Sequence, residues 1–270
     1  MMCKLMNVSP SGFYDWVARP VSFRTRKNQR LATKLKAFYA ASYGTYGAPR
    51  LHADLAEDGE RTSIRTVARL MARHNIKAKT AKRFVVTTDS KNTMVPAKDL
   101  VRRQFASAQP NQVWVSDTTF IRTRQGWLFL AVILDLYSRQ IVGWSMSDRN
   151  NTQLVCDAFM MAVKRRGEPK NLILHSDQGA TYASAKYINL LKRYQARCSM
   201  SRKGECLDNA VAESFFASLK TEWVDELDYH SREQAKQSVF KYIEVFYNRR
   251  RRHSYLNQQS PVAFEAANAF

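Results

Sequence analysis

The sequence predicts an α/β fold led by a small, basic helical region, and three observations predict it. Three strand-like runs follow one another at residues 112–117, 127–134 and 140–146. Helical and strand-like patterns then alternate: a helix over 152–166, a strand over 171–176, a helix over 182–195, a short strand near 196–200 and a helix over 209–222. Ahead of these, residues 27–74 hold three short segments whose apolar positions recur at helical spacing. Successive strands followed by alternating helix and strand belong to the α/β class.

Charge separates the same regions. The chain of 270 residues carries a formal net charge of +20, so a polyanion is the expected partner. Residues 1–110 hold 21 Lys and Arg against 7 Asp and Glu, whereas residues 111–230 hold 15 against 13. A uniformly basic ribosome-type protein would not divide in this way; a DNA-binding arm on a nearly neutral, acid-bearing core would. A hydrophobic content of 45% is that of a globular chain. Cys3, Cys156, Cys198 and Cys206 form no C-x-x-C pair, which argues against a disulfide framework or a four-cysteine zinc site. No apolar run has transmembrane length and no signal peptide is visible, so a cytoplasmic protein is expected.

Residues 6–16 read as the tail of a small helical module. Residues 27–42 form a helix with Leu31, Leu35, Phe38 and Ser42 on one face, and the glycine turn 43–48 ends it. A short helix over 49–58 turns Leu51 and Leu55 inward, and Thr62 or Ser63 caps a helix over 64–74. Ile64, Val67, Leu70 and Met71 make its apolar stripe, while Arg65, Arg69 and Arg73 make a second stripe on another face. That layout suits guanidinium groups aimed at DNA phosphate in a helix-turn-helix-like element. A solvated basic face is the alternative, and the continuing run Lys77, Lys79, Lys82 and Arg83 favours DNA. Polar, basic residues 91–110 read as a linker, dividing a basic helical region (1–90) from a core (111–225) and a C-terminal helical extension (226–270). In that extension Ser231 and Gln234 form a capping box, and Val239, Tyr242, Ile243 and Phe246 supply the apolar face.

Three carboxylates stand where strands and helices end. Asp117 closes the first strand, Asp177 follows the run 171–176, and Glu213 rides the first turns of the helix that Asp208 or Asn209 caps. Asp177 and Glu213 have 35 residues between them. Two strand-end aspartates and a helix-borne glutamate can meet at one sheet edge. There they repel one another unless cations intervene, and two Mg²⁺ ions suit both that need and in-line attack on a phosphodiester.

The blocks W-V-S-D-T-T at 114–119, H-S-D-Q-G-A-T-Y at 175–182 and D-N-A-V-A-E-S-F-F-A-S-L-K at 208–220 resemble the Asp-Asp-35-Glu core of integrase-related insertion-sequence transposases. The chain is most similar to OrfB, the second-frame catalytic subunit of the two-reading-frame group, the insertion-sequence-three family. Tyr43-Gly44-x-Tyr46-Gly47 with Arg50, and Tyr247-Asn248-x-x-Arg251-x-His253-x-x-Leu256 with Ser260-Pro261, extend the resemblance over most of the chain. It implies a ribonuclease-H-like catalytic core with a mixed sheet behind a helix-turn-helix-like domain. It further implies a DNA transposase in which Asp117, Asp177 and Glu213 are both catalytic residues and ligands of two Mg²⁺ ions, with Mn²⁺ able to substitute. Asp117 then bridges both ions, and no covalent enzyme intermediate forms. Partners implied are DNA at the element ends and target, further copies of the chain in the DNA complex, and the upstream-frame product OrfA, separate or fused. Two rivals remain: a nuclease of the same fold, and a non-catalytic DNA-binding regulator of transposition.

Other residues carry expectations of their own. Lys220, two helical turns beyond Glu213, is expected at DNA phosphate, with a plain surface lysine as the alternative. Arg251 and His253 are candidates for DNA contact, although a helix C-terminus favours cations anyway. His175 either orients a carboxylate or is a hydrogen-bonded structural histidine. Asp135 is expected to organise the turn at 137–139 or pair with Arg139, and Trp114, Trp127 and Trp144 are expected in the core. Glu205 is a stray acid expected to point away from the ions.

Overall fold

Alternating burial along Val113–Thr123 (β1) sets the layout of the core. In the computed structural model, which describes residues 2–79, 97–202 and 209–268, β1 pairs antiparallel with Gly126–Asp135 (β2), and β2 pairs antiparallel with Ile141–Ser147 (β3). On its other side β1 pairs parallel with Ile173–Ser176 (β4), which pairs parallel with Arg197–Met200 (β5). The mixed sheet therefore runs β3-β2-β1-β4-β5, the ribonuclease-H-like arrangement the resemblance implies. β1 runs six residues beyond the expected 117, because β2 continues to pair with it as far as Thr123↔Gly126. Gly126 takes φ +102° at that hairpin, a conformation that glycine adopts without the Cβ penalty.

The chain divides into two units, Met1–Ala78 and Lys79–Phe270. In the first, helices Met2–Leu5 (α1) and Pro10–Ala18 (α2) precede Phe23–Ala41 (α3), Ala48–Glu57 (α4) and Ile64–Arg73 (α5). Leu31, Leu35, Leu51, Leu55, Val67, Leu70 and Met71 are buried, as the stripes predict. Ile64 is not: at the first position of α5 it is 48% exposed. Ser63 is the cap, its side chain accepting from the Thr66 N–H. Glu60 is buried and accepts from Arg30 at 2.8 Å and Lys34 at 2.7 Å, fastening the α4–α5 turn to α3.

In the second unit, Thr152–Arg166 (α6) and Ala185–Arg193 (α7) cover one sheet face, burying Trp114, Ala131, Ile133, Phe159, Leu174 and Tyr187 together. Gly143 permits this closeness, since a Cβ there would lie 2.3 Å from the Ala158 carbonyl. Ala210–Leu219 (α8) and Arg232–Phe240 (α9) pack on β1, α9 also reaching β2. Both helices widen at their ends into π turns, Lys220–Val224 and Lys241–Tyr247. Ser231 caps α9 by accepting from Gln234 N–H, while Gln234 Oε1 accepts from His230 N–H. Helix Pro261–Ala267 (α10), which the sequence reading did not anticipate, follows Ser260, whose side chain accepts from Ala263 N–H. Asp208, Glu205, Cys206, Lys82 and Arg83 lie outside the described residues.

Candidate active site

Parallel pairing brings the two aspartates together. Val113 faces Ile173 and Val115 faces His175, a constant offset that, carried two residues on, sets Asp117 level with Asp177 on neighbouring strands. Side chains two apart share a sheet face, so Asp117 belongs with Val115, Thr119 and Ile121. Trp114, on the opposite set, packs against α6. Asp117 therefore lies on the face where α8 meets β1. Its Oδ1 accepts from Thr118 N–H at 2.7 Å. Asp177 Oδ1 accepts from Gly179 N–H at 3.0 Å, and a Cβ at Gly179 would crowd that oxygen at 2.9 Å. The turn after β4 is tied down on both sides. Tyr182 Oη pairs with Ser116 Oγ at 3.0 Å, and Gln178 Nε2 donates to the Ser201 carbonyl at 2.9 Å.

Electrostatics mark the cluster. Burial, then the charge of Asp177 and more weakly that of Glu213, push the Asp117 carboxyl up to about 8, while Lys220 opposes the rise. Burial also raises Asp177, against the Gly179 hydrogen bond and the nearby His175, and burial raises Glu213. Glu213 sits in the first turn of α8 and is exposed. The expected triplet is therefore assembled unequally: Asp117 and Asp177 are neighbours, and Glu213 acts on Asp117 more weakly. Among the described residues, no three Asp, Glu, His or Cys side chains stand close enough to hold an ion as they are.

His175 is fully buried and pairs with Ser199 Oγ at 2.9 Å, so it is a hydrogen-bonded histidine that also lowers the Asp177 carboxyl. Asp135 accepts from the N–H groups of Asn111 at 2.8 Å and Tyr137 at 2.9 Å, and so organises its turn. Lys220 is half-buried, its Nζ 5.3 Å from the Phe120 ring centroid. Arg65, Arg69 and Arg73 are all exposed along α5.

Four expectations need correction. Arg251 is buried, its Nε donating to Glu222 Oε2 at 2.7 Å, and that carboxylate also accepts from Tyr242 Oη at 3.0 Å. His253 is buried against Tyr247. Both were candidates for DNA contact; Arg251 is instead spent on holding the C-terminal segment to the π turn after α8, and His253 on packing against Tyr247 of the π turn after α9. The ion pair joins residues 29 apart, a distance over which no local pattern operates. Asn209 holds the cap position of α8 but makes no capping hydrogen bond with its side chain. Trp114 is fully buried, whereas Trp127 is 48% exposed and packs edge-on against Phe120, itself 41% exposed.

Comparison with known proteins agrees with this geometry. Residues 107–206 and 194–261 match integrase core domains, and residues 26–84 match an HTH-like domain. The transposase InsF for insertion sequence IS3A of Escherichia coli is 42% identical over 269 residues, spanning 99% of this chain and 93% of that protein. A 31 kDa protein of insertion element IS600 from Shigella sonnei is 39% identical over 263 residues, 97% of each. In fold alone, the chain is similar to a solved simian T-cell lymphotropic virus intasome in complex with PP2A regulatory subunit B56 gamma. That likeness has TM-score 0.50 and 13% identity, covering 85% of this chain and 73% of that one. The chain belongs to the IS3 family of transposases, enzymes of the DDE transposase and integrase type built on an integrase core.

Proposed function

We propose that Asp117, Asp177 and Glu213 hold two divalent ions, Mg²⁺ or in its place Mn²⁺, and that the chain cleaves element ends and joins their 3′-hydroxyls to a new phosphodiester. The observation that carries this reading is the accumulation of carboxylates around Asp117, pushed up to about 8 by burial and by its acidic neighbours. Hard carboxylate oxygens at the ends of two adjacent strands and on a helix are the donor set such ions take, although among the described residues the three do not form a closed group. When bound, a pair of such ions supplies activation of the attacking oxygen and stabilisation of the leaving one.

The chain's own residues prepare the rest. The N–H groups of Thr118 and Gly179 each hold one oxygen of Asp117 and Asp177, which fixes both carboxylates without a second side chain. Lys220 brings a cation beside Asp117 and attracts a phosphate there. No Ser, Tyr or Cys nucleophile is required, so no covalent protein intermediate forms. In the same reading Arg65, Arg69 and Arg73 neutralise DNA phosphates from α5. The active form is an oligomer on DNA that engages OrfA as a partner or fusion, in the bacterial cytosol.

The experiment is a strand-transfer assay with a labelled 3′-hydroxyl element end and a target duplex. Covalent joining by the wild-type chain, lost in Asp117→Asn, Asp177→Asn and Glu213→Gln, supports the reading. Hydrolysis with no joined product identifies a nuclease instead.

A further inference from the structure

We propose that Phe120 and Trp127 form a stacking platform for an unpaired nucleobase at the DNA end, a role that rests on the reading above. The two rings are diagonal neighbours across the β1–β2 hairpin: Phe120 faces Phe129, two residues from Trp127, and Trp127 faces Arg122. Their centroids are 4.9 Å apart at 75°. They are 41% and 48% exposed, in a strand pair whose Ile121, Leu128 and Leu130 are almost wholly buried. Leaving two large rings in water forgoes the stabilisation that burial brings, so their exposure calls for an occupant.

Charge identifies the occupant. Lys220 Nζ lies 5.3 Å from the Phe120 ring centroid. The exposed Arg122 stands opposite Trp127. Arg232 Nε donates to the Trp127 carbonyl at 3.0 Å, holding a guanidinium at the hairpin. Rings flanked by cations are the composition that takes single-stranded nucleic acid, bases on the rings and phosphates on the cations. A surface for another protein would present a wider apolar centre. Phe120 lies three positions beyond Asp117, roughly 10 Å along β1 and on the opposite face of the strand, past the stretch of β1 that β4 pairs. Lys220 bridges the gap, acting on the Asp117 carboxyl while lying over Phe120. A strand that runs from a phosphodiester held at Asp117 past Lys220 therefore reaches the rings on the other face. A base stacked there opens the end of the duplex and steadies the strand on which the reaction occurs.

The test uses the full chain and a duplex whose last two 3′ nucleotides are unpaired, one of them 2-aminopurine, with a blunt duplex as the comparison. In EDTA, where no cleavage occurs, wild type is expected to quench the 2-aminopurine and to prefer the frayed end. In Phe120→Leu with Trp127→Leu, quenching is lost and the preference for frayed over blunt ends falls by about tenfold, within the range of one base-stacking contact. Phe120→Tyr, which keeps the ring, retains the quenching. Circular dichroism and melting temperature confirm that each variant folds. Three results overturn the platform: persistent quenching in the double leucine variant, no preference for frayed ends in wild type, or a changed sedimentation of the DNA-free chain alongside unaffected quenching. The last identifies a contact between copies. Failure of the wild type to join strands in Mn²⁺ while quenching persists counts against the catalytic reading and leaves the platform standing.

Discussion

The helical unit and the sheet unit place their charges in opposite ways. On α5 the guanidinium groups of Arg65, Arg69 and Arg73 all stand in solvent. In the sheet unit Asp117 and Asp177 are drawn in between strands and loops, where burial raises both carboxyls. Exposed charge is cheap to keep, acts by number and is screened by salt. Sequestered like charge is costly in the free protein, and that cost is relieved when a cation arrives. One unit is thus suited to hold a polyanion at many weak points. The other is suited to concentrate charge at one point.

The sharpest way to break the comparison is Asp117→Asn. Strand transfer should fall by about a thousandfold or more, since the stabilisation at stake is several kcal/mol. Affinity for DNA measured in EDTA should hold or rise, because an acid facing phosphate has been neutralised. Parallel loss of DNA affinity would show that the two units do not divide the work.

Arg251→Ala tests the opposite kind of arginine. Breaking a buried pair leaves Glu222 as an uncompensated charge and costs about 3–5 kcal/mol, a fall in melting temperature of about 10 °C for a unit of this size. Arg65→Ala should leave the melting temperature within about 1–2 °C, as a surface substitution does. A stable Arg251→Ala variant with weakened DNA binding would restore Arg251 to the DNA surface.

Replacing Arg65, Arg69 and Arg73 together with Ala should flatten the dependence of log affinity on log salt by roughly two to three units if all three touch phosphate. An unchanged slope in a fluorescence-anisotropy titration would return the stripe to an ordinary solvated helix face.

The last effect is on stability against pH. Asp117 has a folded value of about 8 against the ordinary 3.8. The folded, metal-free chain therefore binds more protons than the unfolded one between those values. Its contribution to stability is intact below the ordinary value and is lost as pH rises through about 8. Asp177 and Glu213, both raised, add in the same direction. Differential scanning fluorimetry in EDTA should show the melting temperature falling across this window by about 10 °C more in wild type than in Asp117→Asn. Millimolar Mn²⁺ should reverse the fall through binding linkage. A wild-type curve parallel to that of Asp117→Asn would mean that Asp117 is not held in a strained, acidic setting.

Much of this protein is legible from local pattern. Helical spacing located α3 to α6 within a few residues at each end, because burying one stripe requires that period. Ser231 was readable as a cap, and Ser63 as one of two candidates beside Thr62, because a cap acts over three residues. The motif blocks around Asp117, Asp177 and Glu213 pointed to the family, since each block is continuous in sequence. What depended on folding are relations between distant segments. The level placement of Asp117 and Asp177 follows from parallel register, which periodicity cannot choose. Trp127 reads as a core residue from its strand position, yet it lies near the end of the β1–β2 hairpin with its ring 48% exposed, and only the packing of neighbouring elements reveals that. Arg251 lies within the basic run 249–252 and reads as a solvent-facing cation until the π turn after α8 delivers Glu222 to it. Side-chain pattern specifies which face of an element is apolar; which partner meets that face, and which charges are stranded or paired when it does, is decided by the assembled chain.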